Sequence, residues 1–341
     1  MKNDELIRGK WCSNKIIDKT RCNKKEFLWG GMVTGFSWLL VSGFGAHIKS
    51  TQKKLVIQKK NTAEEYPLES IKNLLVIGGH TISTSAILNL VKNGAFITFF
   101  EPDCTPVGII RPFGDTSDQE IHKLQQVVPC HRYAIILAQS SIKSRLFAIQ
   151  RVQEDQKTHL FYEGEQEFLH TSQEELQYLI KLDEIRRLHR LTRDMYYEIM
   201  ARNISADFGF RRRTIRPQSD PVNAMLSFGY AMLFGNCCVS VIGARLDPDI
   251  GLMHQGKASL VQDLIDPLKA EMIDRIVFQL ARESLNSSNY ERTPDRCMLS
   301  EEFSQKLIRL FHDSIDNDKI DAMVNSYRNS MTDNDEFRVP Y

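Results

Sequence analysis

LLVIGGHTISTSAILNLVKNGAFITFF, residues 74–100, decides the first half of the fold. Its opening Leu74-Leu75-Val76-Ile77 is a short run of apolar residues stopped by Gly78-Gly79, the pattern of a buried strand. Ile82, Ala86, Leu90 and Val91 then mark an apolar stripe at helical spacing, and Asn93-Gly94 ends it. Ala95 to Phe100 is a second buried strand. Strand–helix–strand units of this kind occur in many folds, so the assignment depends on what lies on either side.

Towards the N-terminus, Leu39-Leu40-Val41 and Lys54-Leu55-Val56-Ile57 predict further strands bounded by turn signals. Residues 1–37, rich in Lys and Asn without a sustained period, read as an extension. The apolar stretch from Met32 to Ala46 falls short of the about 20 residues a membrane span needs. Gly35, Gly43 and Gly45 also break it, so it reads as a buried strand region. Lys24, Lys25 and Glu26 lead into it without a plausible cleavage site, so no secretory leader is expected. Towards the C-terminus, Pro102, Pro106, Pro112 and Gly114 form a loop-rich boundary. Beyond about residue 118, apolar residues at three- and four-residue intervals predict helices over 120–155, 172–202, 220–242, 257–286 and 300–330. The expected class is α+β. An extension (1–37) precedes a small β-rich domain (38–116), and a larger all-helical domain follows (117–341).

Composition narrows the function classes. Of 341 residues, 42% are hydrophobic and 26% charged, enough for a sizeable core. A net charge of +1 gives no bulk attraction to nucleic acid, so any DNA binding must come from local clusters. The cysteines are Cys12, Cys22, Cys104, Cys130, Cys237, Cys238 and Cys297. An odd number without a CxxC pair argues against a zinc ribbon or a disulfide framework and fits reduced thiols in a cytoplasm. Cys12 and Cys22 with His47 make too sparse a set to argue for metal.

The chemistry-bearing stretch runs from Arg211 to Lys269. Asp263 and Asp266, three apart, share a helix face, and Pro267 should interrupt or kink that helix. His254 lies nine residues before Asp263, at the end of an irregular segment holding Pro248 and Gly251. A histidine beside paired carboxylates can make a mixed N/O site for Mg²⁺ or Mn²⁺, suited to phosphodiester chemistry. On spacing alone, two such aspartates are more often a solvated face, and such a histidine is more often structural.

The order of motifs adds weight. An arginine-rich entry, DPVNAMLSFGYAML (220–233), LDPDIGLMH (246–254) and SLVQDLIDP (259–267) together resemble the signature run of the CRISPR-associated protein 1 family. The N-terminal segment LLVIGGHTISTSAILNLVKNGAFITFFEPDCTPVGIIRP resembles that family less specifically, so the resemblance covers roughly residues 38–285. It implies a metal-dependent DNA endonuclease and integrase of spacer acquisition, in which 3′-hydroxyls of short DNA attack the repeat. By the same resemblance His254 and Asp266 match metal ligands, and Asp263 is either a ligand or an orienting group. The family further implies a homodimer through the β-rich domain, assembly with CRISPR-associated protein 2, and a prokaryotic cytoplasm.

One position departs from the family pattern. The family's third ligand is a glutamate seven residues before the first aromatic of a Tyr-Tyr or Tyr-Trp pair. Counting back from Tyr196-Tyr197 gives His189, with Arg190 where a glycine follows in the family. Three readings stay open. His189 is itself a ligand, favouring Mn²⁺ or a later metal; Glu184 reaches in, against about 140° of helical rotation; or the centre is weakened or silent and the protein is a DNA-binding scaffold.

Arginines supply the candidate DNA contacts: Arg186, Arg190 and Arg193 with Arg187 within two helical turns, then Arg211, Arg212, Arg213 and Arg216. Lys143, Arg145 and Arg151 read as a solvated helix face. Tyr196, Tyr197 and Tyr230 can stack near DNA, though helical tyrosines are more often core.

Overall fold

The computed structural model describes residues 28–29, 32–33, 36–59, 62–102, 104–215, 218–293, 296–333 and 335–340. Cys12, Cys22 and Arg216 therefore lie outside the described residues. The chain divides between Asp115 and Thr116 into two compact units.

The first unit holds two sheets. Strands β1 (Leu28–Trp29), β2 (Met32–Val33) and β3 (Phe36–Ser42) are followed by β4 (His47–Ser50), β5 (Lys54–Lys59), β6 (Thr62–Pro67), β7 (Asn73–Ile77) and β8 (Thr81–Ile82). Helix α1 (Thr84–Lys92), β9 (Phe96–Phe100) and β10 (Pro106–Ile110) complete it. One sheet runs β1-β3-β7-β9-β10 with β2 paired to β3; the other runs β6-β5-β4-β8. The strand–helix–strand reading of 74–100 matches β7, α1 and β9, with β7 and β9 parallel as a helical crossover requires. Ser83 starts α1 by accepting from the Ala86 amide through its side chain. Leu39, Val41, Ile48, Leu55, Ile57, Leu74, Leu90 and Ile97 are buried together as this unit's core. Pairing begins before Trp38, because Leu28–Trp29 and Met32–Val33 already join β3.

The second unit is helical. It comprises α2 (Ser117–Val127), α3 (Cys130–Gln156), α4 (Glu165–Glu175), α5 (Leu182–Ala201), α6 (Pro221–Gly243), α7 (Ser259–Ile265) and α8 (Arg275–Glu283). A hairpin of β11 (Tyr290–Arg292) and β12 (Cys297–Leu299) precedes α9 (Glu301–Ser314) and α10 (Asn317–Thr332). The helix expected at 120–155 is two helices, because Pro129 cannot carry the amide bond across the break. At α6 the Asp220 side chain caps the Asn223 amide at 2.8 Å, and Pro221 occupies the first turn. By length and composition α6 could cross a membrane, but more than half of its apolar window is buried in the protein, as in a core helix. Gly229 lets it be one: a methyl there would stand 2.4 Å from the Ile273 side chain.

Pro267 changes the winding of its helix rather than stopping it. Helix α7 passes into a 3₁₀ turn at Asp266–Leu268, and a π-helical turn at Ala270–Asp274 leads into α8. The 3₁₀ turn packs on α3, and α3 packs along α5, which brings three distant parts of the chain to one place.

Candidate functional site

Asp263 organises one half of the site. It is fully buried, and its two oxygens accept from the backbone amides of Leu252 (2.6 Å), Met253 (2.8 Å) and His254 (3.1 Å). They also accept from the His254 ring nitrogen Nδ1 at 2.5 Å. A carboxylate with four donors has no free lone pair for an ion. Of the two roles open to Asp263, the orienting one fits its contacts and the ligand role does not. With Nδ1 held by Asp263, the Nε2 edge of this 45% exposed ring points away from the carboxylate. The segment is fastened further: the Asp249 side chain accepts from the Ala258 amide at 2.7 Å, and the Ser259 hydroxyl donates to the Asp249 carbonyl at 2.8 Å. Gly251 is required here, since a methyl would lie 2.7 Å from the His254 carbonyl oxygen and from the Ser259 side chain.

Asp266, one turn on, meets charge instead. Its Oδ2 accepts from Arg145 Nη2 at 2.7 Å and from His189 Nε2 at 2.7 Å; its Oδ1 accepts from Lys269 Nζ at 2.8 Å. Arg145, His189 and Asp266 are all about 95% buried. Burial alone would raise the Asp266 carboxyl, but Lys269, Arg145 and His189 outweigh it and hold it well below the usual range. Burial lowers His189 despite the attraction of Asp266, so its ring is neutral near pH 7 and donates from Nε2. The 3.4 Å approach of Arg145 Nη2 to that same nitrogen is then proximity rather than a bond.

His189 and Asp266 thus meet across α5 and the 3₁₀ turn, while His254 is paired with Asp263. Arg186 links the two halves: its Nε donates to the Met253 carbonyl at 2.5 Å, and its Nη1 pairs with Asp183 at 2.8 Å. Among the described residues no group of three His, Cys, Asp or Glu side chains is placed to hold a metal ion. With Asp263 filled by amides and Asp266 by two cations and an imidazole, the arrangement does not fit Mg²⁺ or Mn²⁺ as it stands.

The arginines sort by partner. Arg213 is committed to the protein, donating to the Thr214 carbonyl, to Asn223 at 2.9 Å and to Ser227 at 2.8 Å. Arg193 pairs with Asp194 at 2.9 Å. Arg187, Arg190, Arg211 and Arg212 are exposed. Arg145 overturns the solvated-face reading, because it is a buried member of the centre. Its signal was present in the sequence: Ala138, Ile142, Arg145 and Ile149 fall on one buried stripe of α3. Lys269 was likewise passed over. It also sits 5.3 Å from the Tyr230 ring centroid, as does Arg213.

The tyrosines are core, and they surround a third carboxylate. Tyr197 and Tyr230 share a 2.5 Å hydroxyl contact, and Tyr230 donates a short bond to Asp274. Burial pushes the Asp274 carboxyl up to about 6, partly offset by the bond from Tyr230 and the nearby Tyr196 hydroxyl. No sequence pattern singled Asp274 out; the π turn carries it inward.

A family model described as CRISPR associated protein Cas1 matches residues 39–313. A Methanospirillum hungatei protein named as a putative CRISPR-associated endonuclease Cas1 2 is 43% identical over 293 residues, covering 84% of this chain and 97% of the relative. Among solved structures, a casposase bound to integration product superposes with TM-score 0.75 at 16% identity, over 89% of this chain and 98% of that one. A partial Cas6-RT-Cas1–Cas2 complex gives TM-score 0.70 at 17% identity, over 88% and 97%. The α+β architecture is shared with these structures, and the length and identity of the matches settle the kinship: the chain belongs to the CRISPR-associated protein Cas1 family.

Proposed function

We propose that the chain is a DNA-binding subunit of CRISPR adaptation, a homodimer working with Cas2, whose centre around Asp266 neither cuts nor joins DNA in its resting conformation. One observation carries this reading: both oxygens of Asp266 are taken by Arg145, His189 and Lys269. Metal-assisted phosphodiester chemistry needs free carboxylate oxygens and open coordination positions. Where the family has a glutamate this chain has a neutral histidine, which lends no negative charge to attract the ion. Arg190, Arg211 and Arg212 are exposed and suited to phosphate oxygens, with Arg187 beside them. The β-rich unit would supply the dimer contact. Likeness to a casposase bound to integration product and to a Cas1–Cas2 complex supports DNA and Cas2 as partners.

A second reading is favoured by His254. Its ring is fixed by a buried carboxylate through Nδ1 and leaves Nε2 outward, the way metal-binding histidines are oriented. On that reading the chain is a metal-dependent endonuclease and integrase, holding Mg²⁺ or Mn²⁺ on His189, His254 and Asp266 with Asp263 as orienter. Full-length protein incubated with Cas2, 3′-hydroxyl duplex DNA, a repeat-bearing plasmid and either ion separates the two. The expected result is DNA binding that falls steeply with salt and no joined or nicked product. Product that appears with Mn²⁺ and vanishes in His254→Ala sinks the first reading and establishes the second.

A further inference from the structure

Asp266 has a permanent counter-charge within the protein. We infer that Arg145 stands in for the divalent cation, and that Arg145 and His189 form a reciprocal pair replacing an ion and a glutamate. The inference rests on the closed-centre reading above and names what closes it. Arg145 is 5% exposed, lies 2.7 Å from Asp266 and 3.4 Å from the ring at position 189, and its Nη1 has no hydrogen-bond partner among the described residues. A buried guanidinium left partly unsatisfied is costly to keep, so its retention on the apolar stripe of α3 asks for a compensating role. Neutralising Asp266 is that role. Lys269 is less suited to it, because its side chain is 23% exposed and can turn outward.

The pairing has a non-additive consequence. Restoring the glutamate by His189→Glu does not open the centre, because Arg145 then forms an ion pair with the new carboxylate. Removing the guanidinium by Arg145→Met does not open it either, because only one acidic side chain remains. The double variant alone presents two carboxylates and no buried arginine, a donor set for a hard cation that retains several waters.

The experiment is a Mn²⁺ titration of full-length wild type, His189→Glu, Arg145→Met and the double variant. It is followed by calorimetry and by the shift in melting temperature with added ion. The double variant should bind Mn²⁺ at least tenfold more tightly than the other three proteins and be the only one that the ion stabilises. If Arg145→Met does not fold, Arg145→Gln with His189→Glu keeps one donor on Asp266 and carries the same expectation. A folded double variant no tighter than His189→Glu alone overturns the inference, as does a wild type that already binds equally well. DNA joining by the wild type instead removes the closed-centre reading, so the two failures are told apart.

Discussion

Asp263 and Asp266 lie three residues apart on one helical segment, are equally buried, and meet opposite surroundings. Asp263 gathers three successive amides and an imidazole, and uses them to fasten the segment that carries His254. Asp266 gathers a guanidinium and an ammonium with one imidazole. The difference originates in backbone winding. Asp263 belongs to a regular helix facing the 252–254 segment, whereas Asp266 opens the 3₁₀ turn made by Pro267 and faces α3 and α5. Identical side chains at neighbouring positions therefore take different tasks, one holding a loop and the other holding charge.

The strongest way to break this contrast is Asp263→Ala, which strands two buried amides, the part-buried His254 amide and one ring nitrogen at once. At about 1–3 kcal/mol for each group left without an acceptor, partly recovered by water, the loss should be about 4–6 kcal/mol. Urea denaturation measures it. Asp263→Asn keeps one carbonyl oxygen and should lose less than half as much. Equal losses in the two variants would mean that the amides do not depend on the carboxylate.

The matching test at Asp266 should give a different pattern. Asp266→Ala leaves Arg145 buried without its partner, and breaking a buried pair on one side costs about 3–5 kcal/mol. Removing both charges with Arg145→Met and Asp266→Leu should recover most of that loss, to within about 1 kcal/mol of wild type. No such rescue exists for Asp263, three of whose four partners are backbone amides. Failure of the double variant to recover would show that Asp266 also acts through Lys269 or His189.

Much of this arrangement was legible in the sequence, and the illegible parts share a cause. Helix α6 could be read from Asp220-Pro221 and its apolar run, and β7, α1 and β9 from the periodicity of 74–100. His254, Asp263 and Asp266 were singled out by motif order. Strands β6 and β10 were missed because their faces are largely exposed, TAEEYP and PVGII carrying little alternation for burial to imprint, and β4 because four residues with one buried position, Ile48, are too short to show a period. The burial of Arg145 was readable from its place on the apolar stripe of α3, but its role was not, because its partner lies 121 residues away. The shared helix face expected of Asp263 and Asp266 presumed ideal winding, which the 3₁₀ and π turns replace. Local rules reach as far as local geometry, and the charge balance of the centre is set by long-range packing.

Gly251→Ala sharpens the Asp263 side without touching a charge. The added methyl lies too close to the His254 carbonyl and to Ser259 for the segment to keep its path. Overpacking of this kind costs about 1–3 kcal/mol. Amide exchange should show faster opening at Leu252, Met253 and His254, with no change around Arg145 and Asp266. Protection lost equally in both places would mean that the two halves form one cooperative unit.

The smallest expected effect extends the comparison to Asp274, which is as buried as Asp266 but takes its hydrogen bond from the Tyr230 phenol rather than from a charged group. Its folded pKa of about 6 lies above the ordinary value of 3.8. Protons are then bound more tightly by the folded chain, so the contribution is fully present below pH 3.8 and is lost as pH rises through 6. Asp266 has the opposite sign: its lowered pKa gives stability that is present above 3.8 and is lost only in stronger acid. Between pH 5 and 7.5 the wild type should lose about 1.4 kcal/mol relative to Asp274→Asn, taking about 1.4 kcal/mol per pH unit over the part of the window below 6. Other titrating groups are common to both proteins, including Asp321, raised to about 7, and they cancel in the difference. Denaturation curves for the pair across that range read it directly. A difference independent of pH would place Asp274 with the ionised Asp266 and make burial, not the kind of donor, the lesser influence on both.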